Sequence, residues 1–439
     1  MKNNLLFLVF CLNTSLCFAQ LPNPALVGYW QNWNSPNVPY IELDEIDITY
    51  NVINLSFAVP QSGTTYDMKF TPYNMSSTQL ISKIQTLQSR GVIVNISVGG
   101  GGTLVALNNS SERDIFITSM LNIINTYGFD GMDIDLESGS ISVTQGTTIS
   151  NPVDNRIINI IDATKTIMET YHQQKSKKLI LTFAPETAFV QGGQSNYDNI
   201  WGGYLPIIHA LRDSIDLLHV QLYNSGSMYG IDGNVYTQGT ADFIVAMGEA
   251  VIQGFSTLGG YFPGLTPEQI AIGLPACSNA AGGGFADTTT VKEAMDYLLG
   301  KGIQPGIYTL YTPSGYPSLG GMMTWSTNWD DLSTCDGQNS FANNFKRIYS
   351  LFPVTTTPQK SRISDIILYP NPAQNEVNIK WSNQDIMINN VRIFSLTGQK
   401  MPVHLFFNNQ IEINHLTAGY YIIQVETDTE TIQKKLVVF

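Results

Sequence analysis

The chain contains 439 residues, of which 43% are hydrophobic and 13% are charged, and its formal net charge at pH 7 is −13. This length allows a large hydrophobic core and exceeds that of one average domain. The acidic sequence lacks the basic stripe that nucleic-acid-binding proteins need, so we expect a neutral substrate and no nucleic-acid partner.

The first 20 residues have the pattern of a secretory signal, with Lys2 before an apolar stretch and small residues before Gln20. We predict a signal peptide over residues 1–19, cleaved near Ala19. Lipid attachment at Cys17 is an alternative, but Leu16 is a poor residue to precede such a site. The apolar run is too short to span a bilayer, as is every later segment, so the sequence predicts a secreted protein without a membrane span.

Two cysteines, Cys277 and Cys335, remain once the signal peptide is removed. In a secreted protein two such residues can form a disulfide. Two buried free thiols are the alternative, and the sequence leaves both open.

Short β-branched runs alternate with helical patterns between residues 22 and 352, which we predict to be one domain. Strands are predicted at 25–30, 52–58, 92–100, 129–137, 179–186, 215–224, 269–276 and 320–326. Helices are predicted between them, for example at 77–91 and 155–173. Eight strand–helix units predict an α/β fold of the (β/α)8 TIM-barrel type. A doubly wound open sheet is the alternative, and it is disfavoured because no dinucleotide-binding glycine pattern follows the first strand.

The composition changes after residue 352. Residues 353–365 are polar and rich in Thr and Pro, which predicts a linker. Residues 366–439 contain short alternating strands separated by turns, which predicts a small C-terminal all-β sandwich. This second domain shows no cluster of catalytic side chains.

Three acids stand at alternate positions of the fourth predicted strand: Asp133, Asp135 and Glu137. Residues two apart in a strand share a face, so the three carboxyls should point into the barrel, with Glu137 nearest its mouth. Carboxylates about 5 Å apart repel by about 3 kcal/mol at an effective dielectric constant of 20, or about two pKa units. The row should therefore retain and share protons, and a carboxyl that keeps its proton can act as a general acid.

Three alternatives to an acid catalyst are disfavoured. A row neutralised by ion pairs would need Lys or Arg in the other strands, and none of the eight predicted strands contains one. A calcium loop would need Gly where Ser138 stands and helices on both sides. A two-metal site would want histidines, and His219 alone lies in a predicted strand, where a packed core residue is the simpler interpretation. We therefore expect no metal and no cofactor.

Four segments resemble glycoside hydrolase family 18, the chitinases. DGMDIDLE (130–137) resembles the family signature D-G-x-D-x-D-x-E. SVGG (97–100), QLYN (221–224) and MTWSTNWD (323–330) resemble the ends of its third, sixth and eighth strands. The similarity covers residues 25 to about 350 and looks most like the bacterial single-barrel chitinases of the chitinase D type.

The resemblance implies a catalytic role for each acid. Glu137 would protonate the glycosidic oxygen and then activate water. Asp135 would orient the substrate's 2-acetamido group, which supplies the nucleophile in this family, and Asp133 would share a proton with Asp135. Tyr223 would donate its hydroxyl to the acetamido oxygen.

The resemblance also implies a sugar-binding surface. Trp325 would form the floor under the reacting sugar. The other substrate-binding candidates are Gln221, Asn224, Tyr29, Phe57, Ala184 and Glu186. Ser97 would support Asp133, and Gly99 and Gly100 would support the site from the same strand. Many relatives carry Tyr-Asp where this chain has Tyr-Asn at the end of strand six, so their pH behaviour cannot be transferred.

The C-terminal region resembles a type IX secretion sorting domain in YPNPAQNEVNIK (369–380), IFSLTGQ (393–399) and LTAGYYIIQVET (416–427). The resemblance implies secretion machinery as a partner and later removal of the domain. A carbohydrate-binding module is the alternative, but Trp381 is the only tryptophan in this region.

Together these observations predict a secreted, monomeric endochitinase that acts on chitin or chitooligosaccharides with retention of configuration. Endo-acting cleavage is expected because no inserted domain separates strands seven and eight. An endo-β-N-acetylglucosaminidase acting on N-glycan cores would use the same acids and stays an alternative. A chitin-binding lectin is disfavoured because such proteins usually lose the terminal acid, which is retained here as Glu137.

Overall fold

A computed structural model describes residues 21–137, 139–332, 334–349, 366–381, 388–395, 399–406, 410–427 and 431–439. The chain divides into two compact units, residues 1–356 and 357–439. The signal peptide predicted at 1–19 and the linker predicted at 353–365 lie outside the described residues.

The first unit is a barrel of eight parallel strands. They are β1 (Ala25–Gln31), β2 (Val52–Pro60), β3 (Ile93–Gly99), β4 (Gly131–Asp135), β5 (Ile180–Phe183), β6 (Leu217–Leu218), β7 (Ala271–Pro275) and β8 (Gly321–Trp325). Hydrogen bonds join them in the order β7-β8-β1-β2-β3-β4-β5-β6. Parallel bridges from Leu218 to Ile270 and from Gln221 to Gly273 close the ring between β6 and β7. The predicted TIM barrel is confirmed.

Helices surround this barrel and bury apolar side chains against it. They are α1 (Ser77–Ser89), α2 (Ser110–Tyr127), α3 (Asn155–Lys175), α4 (Leu205–Leu211), α5 (Ala241–Gln253), α6 (Thr288–Leu298), α7 (Thr327–Asp330) and α8 (Ser340–Tyr349). In α1, the side chain of Ser76 caps the first turn, and the buried residues Leu80, Ile84 and Leu87 form the face that packs inward. Among the described residues, no helix is long and apolar enough to cross a membrane.

Strands four and six are shorter than the sequence predicted. β4 ends at Asp135, because the next backbone N–H, that of Leu136, donates to the hydroxyl of Tyr204 at 2.6 Å instead of to a neighbouring strand. β6 comprises two residues, and beyond it Gln221 forms single bridges to both neighbouring segments. Glu137 and the residues after Gln221 therefore lie in loops at the barrel mouth.

The second unit contains two antiparallel sheets. One joins Ile366–Tyr369, Glu376–Trp381, Gln410–Glu412 and His404–Phe406, and the other joins Lys400–Met401, Ile388–Ser395, Gly419–Thr427 and Thr431–Val438. Buried residues from both sheets, including Val377, Ile411 and Ile423, form one hydrophobic core. This arrangement confirms the predicted all-β architecture of the C-terminal region.

Candidate active site

The acid row starts inside the barrel on β4. Asp133 and Asp135 are 0% and 4% exposed, and their side chains face the other strands of the barrel. The residues that alternate with them pack in the outer core, against the helices: Met132, Ile134 and Leu136. The period of two along the strand thus separates carboxyls inside from apolar groups outside.

Asp133 is held by hydroxyl groups from three other strands. Its Oδ2 accepts hydrogen bonds from the Tyr29 hydroxyl at 2.5 Å and from Ser97 Oγ at 2.7 Å. Its Oδ1 accepts a hydrogen bond from Thr182 Oγ1 at 2.6 Å. His219 Nε2 lies 3.4 Å from the same Oδ1, but burial lowers the pKa of this histidine and favours its neutral form. Hydroxyl dipoles rather than a full positive charge therefore surround Asp133.

Near the barrel mouth, Glu137 lies between two other acids, Asp135 and Glu186. Burial, followed by the negative charges of Glu137 and Asp133, raises the pKa of Asp135 well above its usual value. Burial and the adjacent Glu137 raise the pKa of Glu186 to about 7. Glu137 is in hydrogen-bonding contact with both neighbours. We expected Asp133 to share a proton with Asp135, and this stays a prediction. The structure places hydroxyl donors on both oxygens of Asp133 and brings Asp135 into hydrogen-bonding contact with Glu137.

Gln221 joins the acids to the neighbouring strand. Its Nε2 lies 2.9 Å from Asp135 Oδ1, 2.8 Å from Glu137 Oε1 and 2.8 Å from the carbonyl oxygen of Ala184. We expected Gln221 and Ala184 to contact sugar. Gln221 lines the cavity with its amide nitrogen against the acids, whereas Ala184 is 1% exposed and contributes its carbonyl group to Gln221; contact of either residue with sugar stays a prediction.

A cavity of about 170 Å³ opens onto the acids. Its lining residues are Tyr29, Phe57, Gly101, Asp135, Glu137, Gln221, Tyr223, Asn224, Ala280 and Trp325. The rings of Phe57 and Trp325 stack with centroids 5.8 Å apart and planes 13° apart. Trp33 stacks on Phe57 at 6.2 Å. Sequence reasoning missed Trp33, and its position just past the end of β1 was the available signal.

Asn224 lies at the exposed rim of the cavity. Its backbone has a φ of 55°, a left-handed conformation that Asn tolerates better than most residues. Its Oδ1 accepts a hydrogen bond from the N–H of Gly282 at 2.7 Å and so binds the loop that follows β7. A disulfide joins Cys277, at the start of that loop, to Cys335. Ala280, which sequence reasoning missed, reaches the cavity from the same loop.

Two glycines at the end of β3 allow the close approach of β2 and β4. A Cβ atom on Gly99 would lie 2.3 Å from the carbonyl oxygen of Asp135, and one on Gly100 would lie 2.5 Å from the Phe57 ring. The N–H of Gly100 donates to that same Asp135 carbonyl at 2.8 Å. Neither glycine can be replaced without moving the acid strand or the aromatic wall.

Two family models match the chain. The model described as glycosyl hydrolases family 18 matches residues 25–333, and the model described as a secretion system C-terminal sorting domain matches residues 367–439. Together they cover both units.

Three similar proteins carry chitinase names. Chitinase D from Niallia circulans is 45% identical over 72% of this chain and 60% of its own length. Chitinase Chi52 from Paenibacillus xylanexedens is 46% identical over 70% of this chain and 58% of its own. The chain thus spans about three fifths of these curated relatives. A solved family 18 chitinase from Chromobacterium violaceum superposes with a TM-score of 0.66 at 33% identity, over 75% of this chain and 85% of that one.

Proposed function

The chain belongs to family 18 of the glycosyl hydrolases, and we propose that its barrel hydrolyses chains of β-1,4-linked N-acetylglucosamine. One observation carries the proposal. Asp135 and Glu137 are in hydrogen-bonding contact at the base of a cavity whose wall is the stacked pair Phe57 and Trp325. A glycosidase needs a proton donor close to the glycosidic oxygen and aromatic rings on which the sugars can stack. This cavity offers both.

The contacts of Glu137 favour a nucleophile supplied by the substrate. A mechanism with two carboxylates on opposite sides of the bond needs them about 5–9.5 Å apart. Asp135 and Glu186 are both within hydrogen-bonding reach of Glu137, so neither can stand across the bond from it. The 2-acetamido oxygen of the substrate is the remaining candidate, as in the substrate-assisted members of this family.

The reaction then has two steps. Glu137 gives its proton to the glycosidic oxygen while the acetamido oxygen attacks C1, so that the leaving sugar departs and an oxazolinium ion forms. Asp135 accepts a hydrogen bond from the acetamido N–H, and Tyr223 donates one to the acetamido oxygen. Glu137 then takes a proton from water, which attacks C1 and restores the acetamido group with net retention.

The replacement Glu137→Gln tests this function. Gln keeps the shape and the hydrogen bond with Gln221 but has no proton to transfer, so we expect turnover of chitohexaose to fall by about 10³-fold or more. Binding of the oligosaccharide should persist. Mass spectrometry of the products measures turnover, and calorimetry measures binding of the oligosaccharide. The matched control is Glu293→Gln, on the exposed face of α6, and retained turnover by the Glu137 variant would refute the assignment.

The segment between β7 and β8 supports endo-acting cleavage. Residues 276–320 contain α6 and no strand, so no inserted domain deepens the cleft in this region. An open cleft admits the middle of a polymer, and chitohexaose should yield internal products of mixed length. Release of one product size only, or cleavage of a glycoprotein in preference to chitohexaose, would instead support exo-action or an N-glycan substrate.

We also propose export of the protein outside the cell, on the basis of the sorting-domain match at residues 367–439. The C-terminal unit has its own core and therefore can be removed without opening the barrel. Intact-mass measurement of the chain recovered from culture medium tests export and removal together. A full-length chain retained in the cells would contradict both.

A further inference from the structure

A second groove lies on the flank of the barrel and shares no lining residue with the catalytic cavity. Its volume is about 590 Å³, and two antiparallel hairpins border it, one of Ser227–Tyr229 with Val235–Thr237 and one of Phe255–Thr257 with Gly260–Phe262. Three tyrosines line it with unusually exposed side chains. They are Tyr229, Tyr261 and Tyr311, which are 44%, 58% and 59% exposed. Three exposed aromatic rings around one groove are typical of an interaction site.

Hydrogen bonds hold two of these rings and the backbone of the third tyrosine in place. The hydroxyl of Tyr261 donates to the carbonyl oxygen of Gln253 at 3.1 Å, and that of Tyr311 donates to the carbonyl oxygen of Ile231 at 3.4 Å. The side-chain amide of Gln194 donates to the carbonyl oxygen of Tyr229 at 3.0 Å. Because the hydroxyls of Tyr261 and Tyr311 are tethered, a ligand that stacks on these two ring faces has little side-chain entropy to overcome.

The chemistry of the groove suits a neutral, hydroxyl-rich ligand. All of the residues described as lining it are uncharged, although the chain as a whole carries a net charge of −13. The tyrosine faces offer apolar contact to the C–H face of a sugar ring, and the amide of Gln253 and the hydroxyl of Ser256 offer hydrogen-bonding groups nearby. The groove volume lies within the range of ligand sites, about 300–1,000 Å³.

We propose that this groove is a second, non-catalytic binding site for a chain of β-1,4-linked N-acetylglucosamine. The identity of the polymer rests on the proposed function, whereas the uncharged aromatic lining stands without it. The hairpin that carries Tyr229 begins at Ser227, three residues after Asn224, which lines the catalytic cavity. A short segment thus connects the two sites. A polymer held in the groove stays at high effective concentration near the acids, which strengthens binding to long or insoluble chains but not to short ones.

Adsorption of the full chain to insoluble chitin tests the proposal. The background is Glu137→Gln, so that no substrate is consumed during the measurement. We expect the triple variant Tyr229→Ala, Tyr261→Ala, Tyr311→Ala to raise the apparent dissociation constant about tenfold, because it removes three stacking faces. The same triple variant with native Glu137 should hydrolyse soluble chitotriose at the unmodified rate and insoluble chitin more slowly.

Two controls separate ring stacking from other causes. Tyr420→Ala removes a ring that is 53% exposed in the C-terminal unit, and it should leave adsorption unchanged. The double variant Tyr261→Phe, Tyr311→Phe keeps the faces and loses only the tethers, so most of the affinity should remain. Adsorption should also stay constant between about 0.05 and 0.5 M salt, because no charge lines the groove.

The outcomes distinguish this inference from the proposed function. Unchanged adsorption of the triple variant overturns the second site and leaves the catalytic proposal intact. Failure of the unmodified chain to hydrolyse any chitooligosaccharide overturns the catalytic proposal. Even in that case, tenfold weaker adsorption of the triple variant would support the groove as a glycan site. A change of oligomeric state in sedimentation equilibrium, caused by the triple variant, would make the groove a self-association surface and would overturn the inference.

Discussion

Replacing Glu186 by Gln should shift the alkaline limb of the kcat/KM profile to lower pH. The pKa of Glu186 is raised to about 7 by burial and by the adjacent Glu137, so this carboxyl is ionised above neutral pH. Its negative charge then disfavours ionisation of Asp135 and Glu137, so these two carboxyls retain protons to higher pH. Gln has nearly the same shape and carries no charge. The remaining acids should therefore lose the catalytic proton at lower pH.

The size of the shift follows from the contact between Glu186 and Glu137. Two charges about 5 Å apart interact by about 3 kcal/mol at an effective dielectric constant of 20, which corresponds to about two pH units. Glu186 is half-buried and lies at the barrel mouth, where solvent screens its charge. We therefore expect a downward shift of about one pH unit.

Initial rates on a soluble chitooligosaccharide between pH 4 and pH 10 measure this shift, with the exposed Glu293→Gln as the matched control. Thermal unfolding gives a second readout. Because the folded-state pKa of Glu186 is raised above its unfolded value, the folded state binds more protons between about pH 4.5 and pH 7, and stability falls as pH rises through this window. Glu186→Gln should thus raise the melting temperature at pH 8 and change it little below pH 4. An unmoved or upward-shifted alkaline limb would refute the reasoning.

Three further changes probe other parts of the site. Asn224→Asp adds a carboxylate at the exposed rim, so the alkaline limb should move up by at most about half a pH unit; a downward shift in the same assay would contradict this. Replacing Cys277 and Cys335 by Ser opens a loop closed across 58 residues, which the chain-entropy model values at about 4 kcal/mol, and calorimetry should show a melting temperature about 5 °C lower. Tyr29→Phe removes a hydroxyl donor from buried Asp133 and should cost about 1–3 kcal/mol in denaturant unfolding, whereas unchanged stability would mean that the hydrogen bond contributes nothing.

The barrel and the acid row could be predicted because both are local patterns. The eight strands show as β-branched runs that alternate with helical patterns, and the period of two places Asp133 and Asp135 on one face regardless of what they contact. Strand ends were predicted less well. β4 and β6 stop early because the Tyr204 hydroxyl and single bridges at Gln221 replace ladder hydrogen bonds.

The partners of the acids could not be predicted, because they depend on the register between strands far apart in sequence. Gln221 lies 86 residues from Asp135, and no spacing rule indicates that its amide meets two carboxyls. The same holds for Glu186, whose contact with Glu137 joins the loop after β5 to the loop after β4. Trp33 lies in a loop after β1, where no periodicity identifies a residue that stacks on the aromatic wall of the cavity.

The charge of the site is therefore set by Glu186 more than by residue 224. Asn224 contributes no charge, and its side chain is engaged at the exposed rim by the loop after β7, whereas Glu186 contacts Glu137 directly. The double variant Asn224→Asp, Glu186→Gln distinguishes the effect of where a carboxylate lies from the effect of the total charge. It moves one carboxylate from position 186 to position 224 and leaves the number of carboxylates unchanged. Coupling energies are large only for groups in contact, so the alkaline limb of the double variant should stay below that of the unmodified chain. A profile restored to the original pH would mean that net charge at the barrel mouth, and not contact with Glu137, controls when the catalytic proton is lost.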